Sequence, residues 1–244
     1  MVLLVLASYQ ASVHGQASTD QRTVTTKIAD LLAQLPARDA KQLQGNMLEL
    51  DQLGSEGLVK LIAGLSAPGK GKNANVEYAI GGYSAYVSQV SKAAQRSQAV
   101  LAYCTALNNA TDKQVKSFLI SQLELIGKDD AISCLQSYLN DEQLADPASR
   151  ALVKVNSAAA QAALLAALPT AQGAAKLAVV EALGLSRTKA AAPALNALGN
   201  SNDAQLLKVT LSALAHIADP SSAAILTAAA AKTNYQYDQN GATS

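Results

Sequence analysis

The sequence predicts an all-α fold: an α-solenoid of about five to six stacked antiparallel helix pairs. Three observations predict it. First, a leucine pair returns four times. Leu123, Leu152, Leu183 and Leu214 stand 29, 31 and 31 residues apart, and each is followed twelve residues later by Leu135, Leu164, Leu195 or Leu226. Second, each copy reads as an apolar run of helical period, a polar or Gly/Pro break, and a second such run. Third, half of the 244 residues are hydrophobic but only 4% are aromatic, with no Trp and one Phe. A core built from this chain is aliphatic, the abundant alanine, leucine and glutamine favour helix, and no stretch alternates with the period of a strand.

The elements follow in order. Residues 23–35 make a lone first helix ended by Pro36. Residues 39–53 and 56–65 pair across Gly54-Ser55, and 75–90 pairs with 91–108. In the last pair Val76, Ile80, Tyr83, Val87 and Val90 recur on one face. The unit 115–140 carries Leu119, Ile120, Leu123 and Ile126, breaks at Gly127-Lys128-Asp129-Asp130, and resumes with Ile132, Leu135 and Leu139. The unit 150–168 is alanine-rich and breaks at Asn156-Ser157. The unit 176–200 breaks between Gly184 and Thr188, with Pro193 in the first turn of its second helix, where a missing N–H costs little. The unit 206–231 breaks at Asp219-Pro220, an N-cap acid followed by a proline at the first helical position. Every pair has one apolar side that only the next pair can cover, so single copies are not expected to fold alone.

Charge narrows the function. A net charge of +1 with 15% charged residues gives no basic face for nucleic acid. Residues 1–7 are apolar and 8–17 turn small and polar, which reads as a secretory signal over 1–17; the solenoid then covers 18–232, and 233–244 is a polar tail or linker holding Tyr235, Tyr237 and an Asn240-Gly241 turn. After signal removal no run is long enough to span a membrane. The expected location is the periplasm or the cell exterior. Cys104 and Cys134 lie about one repeat apart. With helix axes packed at roughly 8 to 10 Å, like-facing residues are out of bridging range, so two small buried thiols are expected rather than a disulfide. One histidine, His216, follows residue 17, with no Cys or His partner near it; neither a metal nor any other cofactor is expected.

Two clusters are candidate binding residues. Gly64-Leu65-Ser66-Ala67-Pro68-Gly69-Lys70-Gly71 has the spacing of a phosphate-cradling loop through its lysine, but Gly71 stands where a hydroxyl is needed and a helix precedes it. It reads better as a connector. Lys70 and Lys72, just before a helix start, remain candidates for an anion or a partner's carboxylate. Tyr83 falls on the apolar face and is expected buried, whereas Tyr78 and Tyr86 lie off it and are free to meet a neighbouring helix, solvent or a sugar ring.

The units 115–140, 176–200 and 206–231 resemble HEAT repeats. The segment Thr23-Val24-Thr25-Thr26-Lys27-Ile28-Ala29-Asp30-Leu31-Leu32, the loop Pro68-Gly69-Lys70-Gly71, the helix 76–88 and the tail 235–243 together resemble the N-terminal region of secreted bacterial proteins. In those proteins a HEAT array is fused to a 3-keto-disaccharide hydrolase-type domain of glucanase-like fold. The resemblance implies a downstream catalytic domain in cis, and no catalytic residue is carried over to this chain. The expected function is an interaction or spacer module that binds protein or glycan through the solenoid surface and is not itself an enzyme. The alternative is a region of a glycoside hydrolase that contributes directly to its substrate site through carboxylates.

Overall fold

The computed structural model describes residues 20–232, and these are helical with no strand among them. The expected signal segment and the tail with Tyr235 and Tyr237 lie outside the described residues. Helix α1 (Val24–Ala33) stands alone, capped by Thr23, whose hydroxyl accepts from the Thr26 N–H. Six pairs follow: α2 (Ala40–Gln52) with α3 (Gly54–Ile62), α4 (Ala74–Val87) with α5 (Ala93–Asn109), α6 (Lys113–Ile126) with α7 (Ile132–Leu135), α8 (Ala145–Val155) with α9 (Ala158–Ala167), α10 (Gly173–Leu185) with α11 (Ala192–Leu198), and α12 (Ala204–Ile217) with α13 (Ala223–Lys232).

The first helices of the pairs, α2, α4, α6, α8, α10 and α12, each pack on the next and form one continuous row. The second helices lie against them in another row, and α1 closes one end by packing on α3 and α4. Between the rows runs the aliphatic core. Leu123, Leu152, Leu183 and Leu214 are fully buried there, as are Leu135, Leu164 and Leu195 across from them. Leu226, on the last described helix, is half-buried. The repeated leucines therefore mark successive layers of one core, the arrangement in which each pair is stabilised by its neighbours.

Local chemistry sets the breaks. Gly54 takes φ +61°, a left-handed conformation that only glycine adopts freely, and so turns α2 into α3 within a single residue. Asn156 ends α8 at φ 49°, and the Ser157 hydroxyl accepts from the Ala160 N–H to begin α9. Asp112 and Asp203 each accept two backbone N–H groups at the starts of α6 and α12. Asp219 accepts from the Ser221 N–H, and Pro220 opens the 3-10 turn leading into α13.

Close approach in the first row depends on glycine. A Cβ on Gly184 would stand 2.6 Å from the Ala213 Cα, so α10 and α12 touch backbone to backbone at this point. Gly45 on α2 has nothing within 4 Å of the same position. Gly184→Ala is expected to destabilise by about 1–3 kcal/mol through overpacking, whereas Gly45→Ala should stabilise by up to about 1 kcal/mol through helix propensity. Urea unfolding of the two variants checks both signs.

Three expectations are corrected. Helix α4 ends at Val87 rather than at 90, because the Ser88 hydroxyl donates to the Ala85 carbonyl and Gln89 is extended. Val90 then sits in a 3-10 turn at 97% exposure instead of on the apolar face. The second helix of the 115–140 unit has four α-helical residues, flanked by 3-10 turns at Asp129–Ala131 and Gln136–Tyr138. Finally, Cys104 and Cys134 form a disulfide, with Cα atoms 5.7 Å apart. The axial spacing of roughly 8 to 10 Å misleads when used directly. Subtracting two helix radii of about 2.3 Å leaves roughly 3.5 to 5.5 Å between residues that face each other, which is within bridging range.

Candidate functional site

A groove of about 390 Å³ opens between α3, α5 and the start of α6. Small residues create it. Ala102 and Ala106 lie one turn apart on α5 and Ala110 directly follows it, so that this wall presents methyl groups where larger side chains would fill the space. The opposite wall is aliphatic, formed by Val59, Ile62 and Ala63 of α3 and by Leu65 and Ala67 of the following loop, with Val115 and Leu119 of α6 behind. Val59 is 52% exposed, and Leu101, one turn from the lining residue Thr105, is 70% exposed. The polar residues of the lining are Thr105 and Asn109 of α5, and Thr111 and Asp112 just before α6.

Asp112 is the charged residue of this lining. Its Oδ1 accepts from the Gln114 and Val115 backbone N–H groups at 2.9 and 3.0 Å, which fixes the carboxylate at the N-terminus of α6. Its Oδ2 accepts no hydrogen bond from the described residues. The neighbouring lysines are engaged elsewhere. Lys113 pairs with Asp141 at 2.9 Å and Lys116 lies over the Tyr138 ring.

The four residues singled out from sequence do not converge. Lys70 and Lys72 are exposed in the loop before α4, whereas the groove is lined by other residues of that loop, Leu65 and Ala67. Asn73 does not cap α4. Its side chain instead accepts from the Ser66 N–H and hydroxyl and donates to the Ser66 carbonyl, which pins the loop shut. Tyr78 is 39% exposed near the start of α4. Tyr86 lies two turns further along, about 12 Å away by helical rise.

Tyr86 belongs to a separate cluster. The Tyr83 and Tyr86 hydroxyls donate to the two oxygens of Asp51 at 3.1 and 3.5 Å, and the Lys92 ammonium reaches Asp51 at 3.2 Å while lying 4.4 Å from the Tyr86 ring centroid. Burial, then the Asp51 charge, pushes the Tyr83 phenol up, and the Tyr86 hydroxyl and Asp51 raise Lys92. Both groups keep their protons at neutral pH, and the cluster ties the turn after α4 back onto α2. Its members satisfy one another, so it reads as a structural clasp.

At the turns joining first to second helices, a cleft of about 620 Å³ is lined by Arg96, Glu124, Leu125, Lys128, Asp129, Asp130 and Lys154. Arg96 donates to both Asp130 oxygens and to the Ile126 carbonyl. Burial pushes the Asp130 carboxyl up, but Arg96 and the Lys128 N–H more than reverse it, leaving the group below the ordinary carboxylate range. Asp141 is held low by Lys113 and by backbone N–H groups. Carboxylates with depressed values add stability that is complete above their unfolded pKa, near 4, and is lost as pH falls through the folded value. The melting temperature should therefore be level from pH 7 to about pH 5 and drop below about pH 4, and Asp141→Asn should flatten part of that drop. Thermal melts across pH check this.

Sequence reasoning missed the α3–α5 groove. Its signal was present as the spacing Ala102, Ala106, Ala110 beside a short aliphatic α3, but small residues along a helix signal close packing as readily as an open trough. Asp112 was not singled out from sequence. Among the described residues no group of three or more His, Cys, Asp or Glu side chains is placed to hold a metal, and no helix is long and apolar enough to cross a membrane. No known protein family matches this chain, and no curated protein is significantly similar to it.

Proposed function

We propose that the chain is an exported HEAT-like module that binds protein or glycan through its solenoid surface and spaces or orients a carbohydrate-active domain held in cis. The observation that carries this reading is the open stack itself. In one row α10 and α12 touch backbone to backbone at Gly184, while the other row leaves an aliphatic groove between α3 and α5 with Val59 half-exposed on its wall. Exposed apolar surface of this kind is characteristic of recognition sites. The Cys104–Cys134 bridge supports an oxidising compartment, in agreement with the periplasmic or extracellular location. The HEAT likeness supports the same class of function, since such arrays present extended surfaces to partners.

The competing reading, in which this region shares a glycosidase substrate site, needs a carboxyl able to carry a proton at neutral pH. In the turn-edge cleft Asp130 is committed to Arg96 and held ionised. Calorimetric titration of the purified chain with soluble β-glucan and chitin oligosaccharides tests the glycan arm. Binding that Tyr78→Ala or Ala106→Leu weakens at least tenfold supports the module, and hydrolysis of any of these sugars by the chain alone would overturn it.

A further inference from the structure

We propose that the α3–α5 groove is a binding site for a small cationic amphiphile, a primary ammonium on a saturated chain. The inference concerns the groove that the interaction-module reading also uses, and the response to Asp112→Asn with non-sugar probes separates its failure from the failure of that reading. Three features carry it. The groove holds about 390 Å³, within the range of small-molecule sites rather than of extended interfaces. Its α5 wall runs from Ala102 to Asn109, about 10 Å of helix, which suits a chain of about eight to ten carbons and is too short for a docked helix of several turns. Its walls are largely methyl and methylene groups, and Asp112, the charged residue of the lining, stands at the α6 end.

That end is anionic and half-used. Asp112 spends Oδ1 on two backbone N–H groups, leaving Oδ2 without a donor among the described residues, and no cationic side chain lines the groove to neutralise it. An apolar chain lying along Ala102 and Ala106 would bring an ammonium head to that oxygen, where a charge-assisted hydrogen bond replaces hydration. A carboxylate head would meet Asp112 as a like charge, and a hydroxyl head could donate one hydrogen bond to the carboxylate but would lack the attraction between opposite charges.

The test uses the whole chain and three probes that share one tail: decylammonium, decanol and decanoate, each below its micellar concentration. Affinities are read by calorimetry or by amide chemical shifts. Decylammonium should bind about tenfold tighter than decanol, and decanoate weaker than both. Asp112→Asn separates the charge from the fold, because asparagine caps a helix as well as aspartate does. It should abolish the preference for the ammonium, change decanol affinity much less than decylammonium affinity, and leave the melting temperature within error. Ala106→Leu should fill the groove and weaken all three probes. Equal affinities in the unaltered protein, a preference that survives Asp112→Asn, or no binding of any probe would each overturn the proposal.

Discussion

Leu183→Ala is expected to destabilise the protein by about 3–5 kcal/mol, the upper part of the range for a buried leucine. Leu183 is fully buried on α10, the helix that packs against α8, α9 and α12 at once. The cavity therefore opens where three neighbours meet, and α10 cannot collapse into it because Gly184 already holds its backbone against Ala213. The same substitution at Leu226, half-buried on α13, should cost about 1–2 kcal/mol, and at Leu185, 49% exposed, close to zero. Urea unfolding gives the order. Hydrogen exchange gives the location: in a stack stabilised by nearest neighbours, protection should fall in α8, α10 and α12 and persist in α2 and α4.

The three leucines also show what the sequence could and could not reveal. The 29- and 31-residue recurrences located the layers because burial in a solenoid is a property of each residue's place within its own repeat, and helical period encodes that place. The Asp219 cap was legible for the same reason, since it acts on a backbone N–H two residues away, whereas the caps at Asp112 and Ser157 were not named from sequence. Val90 was misplaced because apolar periodicity ran three residues past the point where Ser88 and Gln89 end the helix. The groove escaped because it depends on how far α3 stands from α5, a distance between chain segments about forty residues apart that no local pattern records. Lys70 and Lys72 were chosen for their place before a helix start and Tyr78 and Tyr86 for lying off the apolar face, and neither criterion brings side chains together. The structure distributes them over a loop, one end of α4 and a clasp on Asp51.

The disulfide is the feature whose removal should be felt almost as strongly. Closing a loop of 30 residues between Cys104 and Cys134 removes chain entropy from the unfolded state worth about 3.5 kcal/mol at 25 °C on the loop-closure relation. The bridge joins α5 to α7, and α7 has only four α-helical residues with which to hold its place in the second row. Without the covalent link, α7 keeps the burial of Ile132 and Leu135, and the 3-10 turn after it keeps the hydrogen bond that the Tyr138 hydroxyl donates to the Leu107 carbonyl at 3.1 Å. Reduction should accordingly lower the unfolding free energy by about 2–4 kcal/mol, with exchange protection lost first in α7 and the adjoining turn of α5. The paired substitution Cys104→Ala with Cys134→Ala should match the reduced protein and show no further response to dithiothreitol. A full 3.5 kcal/mol would correspond to a shift of a few hundredfold in the ratio of folded to unfolded chain, so a stack made in an oxidising compartment and the same stack made in a reducing one would differ measurably in yield and in resistance to proteolysis. Equal stability of the oxidised and reduced forms would mean that α7 is held by packing alone, and the second row would then owe its register to the leucine layers rather than to the bridge.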